Sequence, residues 1–119
     1  GKYIVNNSEI LGLNRDDKSI VAQIISFHRG SKMPQEDEEF RLLSRSRRMT
    51  VLKLSAILRV ADALDRTHKQ HLYNFNISFA KDSITFRTKG HNNLSLEKLA
   101  VSEKGDLFEN IFGYKIVLV

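Results

Sequence analysis

Thr50–His68, TVLKLSAILRVADALDRTH, runs without Gly or Pro. Its apolar residues recur at helical spacing: Val51, Leu54, Leu58, Ala61 and Leu64 make one stripe, and Ile57 and Val60 widen it. Thr50 stands where an N-cap would stand. The spacing predicts a helix over this whole stretch. Its apolar face is broad enough to be buried against several neighbours. Asp62 interrupts that face beside Ala61, four residues after Leu58. A carboxylate next to a buried stripe costs free energy unless something cationic meets it.

Upstream, Lys2–Leu13 reads as a short apolar element and a turn, with Gly12 as a stop. Asn14 looks like an N-cap, and Asp16 and Asp17 suit the positive end of the helix that follows. Ile20, Val21, Ile24, Ile25 and His28 carry that helix to about Arg29, with Gly30 past its end. His28 continues the stripe, while Lys18 and Gln23 face solvent. Gly30–Pro34 is a loop. An acidic run then precedes Phe40, Leu42 and Leu43, a second helix with Arg in its last turn. A break near Ser46 leads into the Thr50 helix.

Beyond His68 the period changes. Tyr73, Phe75, Ile77 and Phe79 alternate with polar residues, as in a half-buried strand, and Phe75, Ile77 and Phe79 are read as core. Lys81-Asp82 is a turn, and Ser83–Thr88 the return strand. Helical spacing resumes from Leu94 to Phe112, with Gly105 weakening or bending the helix and Gly113 as its C-cap. Tyr114–Val119 closes as a strand. The expected fold is α+β: helices first, then a small, mostly antiparallel sheet in the order β-β-α-β. The change of period divides the chain into residues 1–69 and 70–119.

At 119 residues the chain makes one domain or a piece of a larger one. It has no cysteine, which excludes a disulfide framework and thiolate metal sites. Its apolar runs fall far short of the roughly 20 residues that span a bilayer. No signal peptide is visible, and a cytoplasmic protein is expected. Gly1 has no Met before it and Tyr3-Ile4-Val5 starts structure at once, so the expectation is a chain cut from a longer protein. The net charge of +5 favours polyanionic partners. Much of that excess lies in Arg41, Arg45, Arg47, Arg48 and Lys53, followed by Arg59, Arg66 and Lys69.

Two constellations could carry chemistry. His28 and Asp62 are both at the rim of an apolar helical face. Imidazole and carboxylate are standard ligands of divalent metals. The competing reading is a core His bonded to a backbone carbonyl, with Asp62 paired to Arg59 or Arg66 along its helix. The arginines from Arg41 to Arg48 have guanidinium forks that suit phosphate oxygens. Their competing reading is a solvated helix end facing Glu36-Asp37-Glu38-Glu39. His68, Lys69 and His71 form a smaller cluster. No nucleophile elbow, phosphate-cradling Gly loop or paired-carboxylate motif occurs.

Several stretches resemble the Ppx/GppA family of exopolyphosphatases and guanosine pentaphosphate phosphatases. Ile57–His68, ILRVADALDRTH, is similar to that family's LRxADALDRSH segment. Tyr3–Asp17 resembles its YLIxNSxxxGL stretch, and Ile24–Pro34, IISFHRGSKMP, its xxYHRxxxP stretch. Leu96–Val119 resembles its closing helix and strand. The matches occur in the family's order and cover nearly the whole chain.

The resemblance implies the C-terminal region of such a protein: a partial HD-like helical bundle followed by the sheet segment. The catalytic actin-like domains would belong to the parent, outside this chain, so whether this piece is itself an enzyme is left open. It implies a module that binds polyphosphate or a guanosine polyphosphate and helps the parent dimerise. Arg29, Arg45, Arg47, Arg48 and Arg59 are, on charge, the candidates for its basic channel. The resemblance also matches Asp62 to the later Asp of an HD metal site and His28 to a His position, with the His-Asp doublet upstream of Gly1. The alternative is therefore an HD-type phosphohydrolase acting on nucleotides or alarmones through Mg²⁺, Mn²⁺ or Fe²⁺. A nucleic-acid binder is weaker, because no aromatic strand motif of the single-strand binders occurs.

Overall fold

The computed structural model describes Gly12 and residues 14–29, 36–66, 75–88 and 93–119, with only the backbone of Arg29. The expected Lys2–Leu13 element apart from Gly12, the Gly30–Pro34 loop, the 69/70 boundary, the His68-Lys69-His71 cluster and the Tyr73 start of the first strand lie outside the described residues. The elements are α1 (Arg15–Arg29), α2 (Glu38–Arg41), α3 (Arg45–Leu64), β1 (Phe75–Phe79), β2 (Ser83–Thr88), α4 (Ser95–Lys104), α5 (Asp106–Phe112) and β3 (Lys115–Leu118). Helices and strands make the α+β class. No helix among the described residues is long and apolar enough to cross a membrane.

The chain forms two compact units, Gly1–Ser55 and Ala56–Val119, whose division falls inside α3. In the first, Asn14 caps α1 as expected: its side chain accepts the Asp17 N–H at 2.8 Å. Phe27 and Phe40 are buried with their rings edge to face, centroids 6.3 Å apart. Gln23, expected in solvent, is fully buried and donates from Nε2 to Glu39 Oε2 at 3.0 Å. That bond lets an amide sit where an apolar residue would otherwise be needed.

The long helix starts earlier than its sequence predicts. Ser44, not Thr50, is the cap: its hydroxyl accepts the Arg47 N–H at 3.3 Å. Thr50 sits inside the helix and donates to the Ser46 carbonyl at 3.1 Å. The expected break near Ser46 is absent, because Ser44 begins a run of good helix formers. The buried face differs in part from the expected one: Val51 and Val60 are buried as expected, and Leu64 is partly buried against the core. Val51, Leu52 and Ser55 are buried in the first unit, and Ala56, Arg59, Val60 and Ala63 in the second. Leu54, Ile57 and Leu58, expected inside, are more than 40% exposed.

The second unit holds a sheet in the order β1-β2-β3. β1 and β2 are antiparallel and β2 and β3 parallel, so one of the two pairings is antiparallel. The register places Ile77 beside Phe86, Ile84 beside Ile116, and Phe86 beside Leu118, on one face. Ile84, Ile116 and Leu118 join Val60, Ala63, Leu94, Ala100 and Val101 in the core. Both α4 and α5 pack on β3. β1, the end strand among the described residues, is less covered: Ile77 is 50% and Phe79 71% exposed, and Phe75 is half-buried. Gly105 divides the expected single helix into α4 and α5. Gly113 ends α5 with a φ of 77°, which glycine adopts without a Cβ penalty.

Candidate functional site

The site is built from two helix ends in the first unit. Asp37 caps α2 by accepting the Phe40 N–H at 3.2 Å. That short helix buries Phe40 and turns Arg41 outward. The chain passes through Leu42 and Leu43 to the Ser44 cap, and α3 begins with Arg45, Arg47 and Arg48 in its first turn. Arg41, Arg45 and Arg48 then line one groove of about 570 Å³ with Phe40, Met49 and Leu52. The size is that of a small-ligand site, which is typically about 300–1,000 Å³. Arg48 Nη1 donates to the Arg41 carbonyl at 3.4 Å, tying the helix ends together.

The electrostatics of this arrangement are unusual for a helix start. No acidic residue occupies the first turn of α3. Cations at the positive end of the macrodipole are disfavoured, by about 0.3–1 kcal/mol each near a surface. Helix stability therefore does not account for them. An anion in the groove would meet arginine side chains whose forks suit it.

Of the arginines expected in a channel, Arg45 and Arg48 meet in the groove. Arg47 stands on the same turn, but its Nη2 is 2.9 Å from Asp16 Oδ2. Arg29 ends α1, and its side chain is outside the described residues. Arg59 lies in the second unit and is buried. Burial pulls its guanidinium below the ordinary value, and Asp106 partly opposes that. Arg41 belongs to the Arg41–Arg48 run whose forks suit phosphate, although the channel expected from the family resemblance does not include it; it lines the groove.

His28 and Asp62 are each accounted for within their own unit. His28 Nδ1 lies 3.3 Å from the Ile24 carbonyl oxygen, one turn back on α1. Asp62, in the last turn of α3, pairs with Arg66 just beyond the helix end at 4.0 Å. Among the described residues no group of three or more His, Cys, Asp or Glu could hold a metal ion. The alternative of an HD-type hydrolase finds no support in them.

Residues 1–105 match the family described as Ppx/GppA phosphatase, domain III. No curated protein matches the chain.

Proposed function

Since the chain belongs to the Ppx/GppA phosphatase family, as its C-terminal region, we propose that it is a non-catalytic module holding a phosphate chain for its parent. The groove of Arg41, Arg45 and Arg48 carries this reading. Three arginines line it, and a guanidinium can meet two phosphate oxygens in a fork. Phe40, Met49 and Leu52 form the apolar part of the lining, against which the arginine stems can rest. The ligand class is linear polyphosphate or a guanosine polyphosphate. Phosphoanhydride cleavage would belong to actin-like domains of the parent, and the helical part would be what is left of an HD-like bundle.

An assembly role belongs to the same reading. Ile57, Leu58, Ile77, Phe79, Leu96 and Leu99 are exposed in the second unit. Apolar surface of this kind is what a further domain or a second copy covers.

The test is a titration of the chain with long-chain inorganic polyphosphate at about 50 and 200 mM salt. Binding at the lower concentration that weakens strongly at the higher one is expected. No salt-sensitive binding at either would end the proposal.

A further inference from the structure

The Asp16–Arg47 ion pair works against the phosphate-binding reading. Arg47 lies between Arg45 and Arg48 in sequence, yet it does not line their groove. Its guanidinium is held by a carboxylate from α1, Nη2 to Oδ2 at 2.9 Å. Both side chains are open to solvent, at 45% and 60% exposure. A carboxylate presents to a guanidinium the same two-oxygen edge that a phosphate does. Asp16 therefore occupies, on Arg47, the place an anionic ligand would take.

We infer that Asp16 is a built-in competitor of the phosphate ligand, holding Arg47 back until the bound anion displaces it. The inference rests on the phosphate-binding reading and adds a regulation of that same site. Exchange is easy because an exposed ion pair is weak and screened by salt. The displaced carboxylate does not lose all compensation. Asp16 shares a hollow of about 540 Å³ with Arg15, Lys18 and Ser19, whose cations remain beside it. Occupancy is thus set by two carboxylate–cation balances, and strong anions tip them.

Asp17 supplies the control. It carries the same charge on the same turn, and its backbone N–H is bonded to the Asn14 cap. Among the described residues it makes no ion pair. Removing either charge raises the local potential by a similar amount, but only the loss of Asp16 releases Arg47.

The experiment measures long-chain polyphosphate binding to the wild type, Asp16→Asn, Asp17→Asn and the double variant Asp16→Asn/Arg47→Ala, each across a salt series. Asp16→Asn is expected to bind about 1.5- to fivefold more tightly than Asp17→Asn, the range of an exposed ion pair. Its salt dependence should steepen by about one phosphate contact. Adding Arg47→Ala should abolish that excess. Asp16→Ser repeats the comparison with another residue that suits a helix start, should Asn perturb the fold. Equal affinities for Asp16→Asn and Asp17→Asn would overturn the inference while leaving the binding groove intact. So would a gain that survives Arg47→Ala. A wild type that shows no salt-sensitive binding would remove the groove and the competitor together.

Discussion

Replacing Arg45 and Arg48 together by Ala tests the groove most directly. Three arginines line it. Each phosphate contact contributes about 0.7–0.9 to the slope of log affinity against log salt, so three contacts give a slope of about −2.1 to −2.7. Raising salt from about 50 to 200 mM should then weaken wild-type binding roughly 20- to 40-fold. With only Arg41 left, the slope should fall to about −0.7 to −0.9, and the same change in salt should cost only about threefold. Isothermal titration or fluorescence anisotropy at several salt concentrations measures both slopes. Circular dichroism checks that the fold is intact. The control is Lys81→Ala/Arg87→Ala, which removes the same charge from exposed positions of the second unit. If the control flattens the slope as much as the groove variant does, the binding is diffuse attraction to a basic protein and the geometric reasoning fails.

Three further outcomes concern residues whose role the fold reassigns. Ser55 is fully buried and its hydroxyl has no hydrogen-bond partner among the described residues. Ser55→Ala should raise stability by about 1 kcal/mol, read as a higher urea midpoint at unchanged slope; a loss of stability would show that the hydroxyl is satisfied in solution. Arg59→Ala should destabilise by about 1–3 kcal/mol, mainly from the lost packing of its buried stem. Its polyphosphate salt slope, measured where the variant is folded, should stay at the wild-type value; a flatter slope would return Arg59 to the binding surface. At Gly105 an added Cβ would stand 2.8 Å from the Val101 carbonyl oxygen, a backbone atom that cannot swing away. Gly105→Ala should therefore cost about 1–3 kcal/mol despite the better helix propensity of Ala, seen as a lower thermal midpoint.

Much of the fold was legible because its signals are local. Asn14 caps α1 through an oxygen three residues from the N–H it accepts. Gly113 ends α5 in the left-handed conformation that other residues avoid. Lys81-Asp82 lies in the turn between paired strands, and alternation alone placed Phe75, Ile77 and Phe79 on one face. Each of these follows from a residue and its near neighbours. The competing reading of these residues, His28 near a carbonyl and Asp62 beside Arg66, is legible for the same reason: both partners lie four residues away.

The basic run from Arg41 to Arg48 was equally plain in the chain, and so were the charge and the family resemblance. Its meaning was not. Helical periodicity in α3 fits two faces at once, and the larger side chains of Leu54, Ile57 and Leu58 pointed to the wrong one. Burial instead went to a face that includes Ser55 and Arg59. In the sheet, helices resting on β3 left the far strand β1 open, so the apolar side chains Ile77 and Phe79 stand in solvent. The groove required a cap at Ser44 and a buried Phe40 to bring Arg41 to Arg45 and Arg48. Periodicity and capping act between neighbours along the chain and can be read there. Which face is covered, and which charges meet, depends on segments brought together from far apart, and only the folded chain sets that.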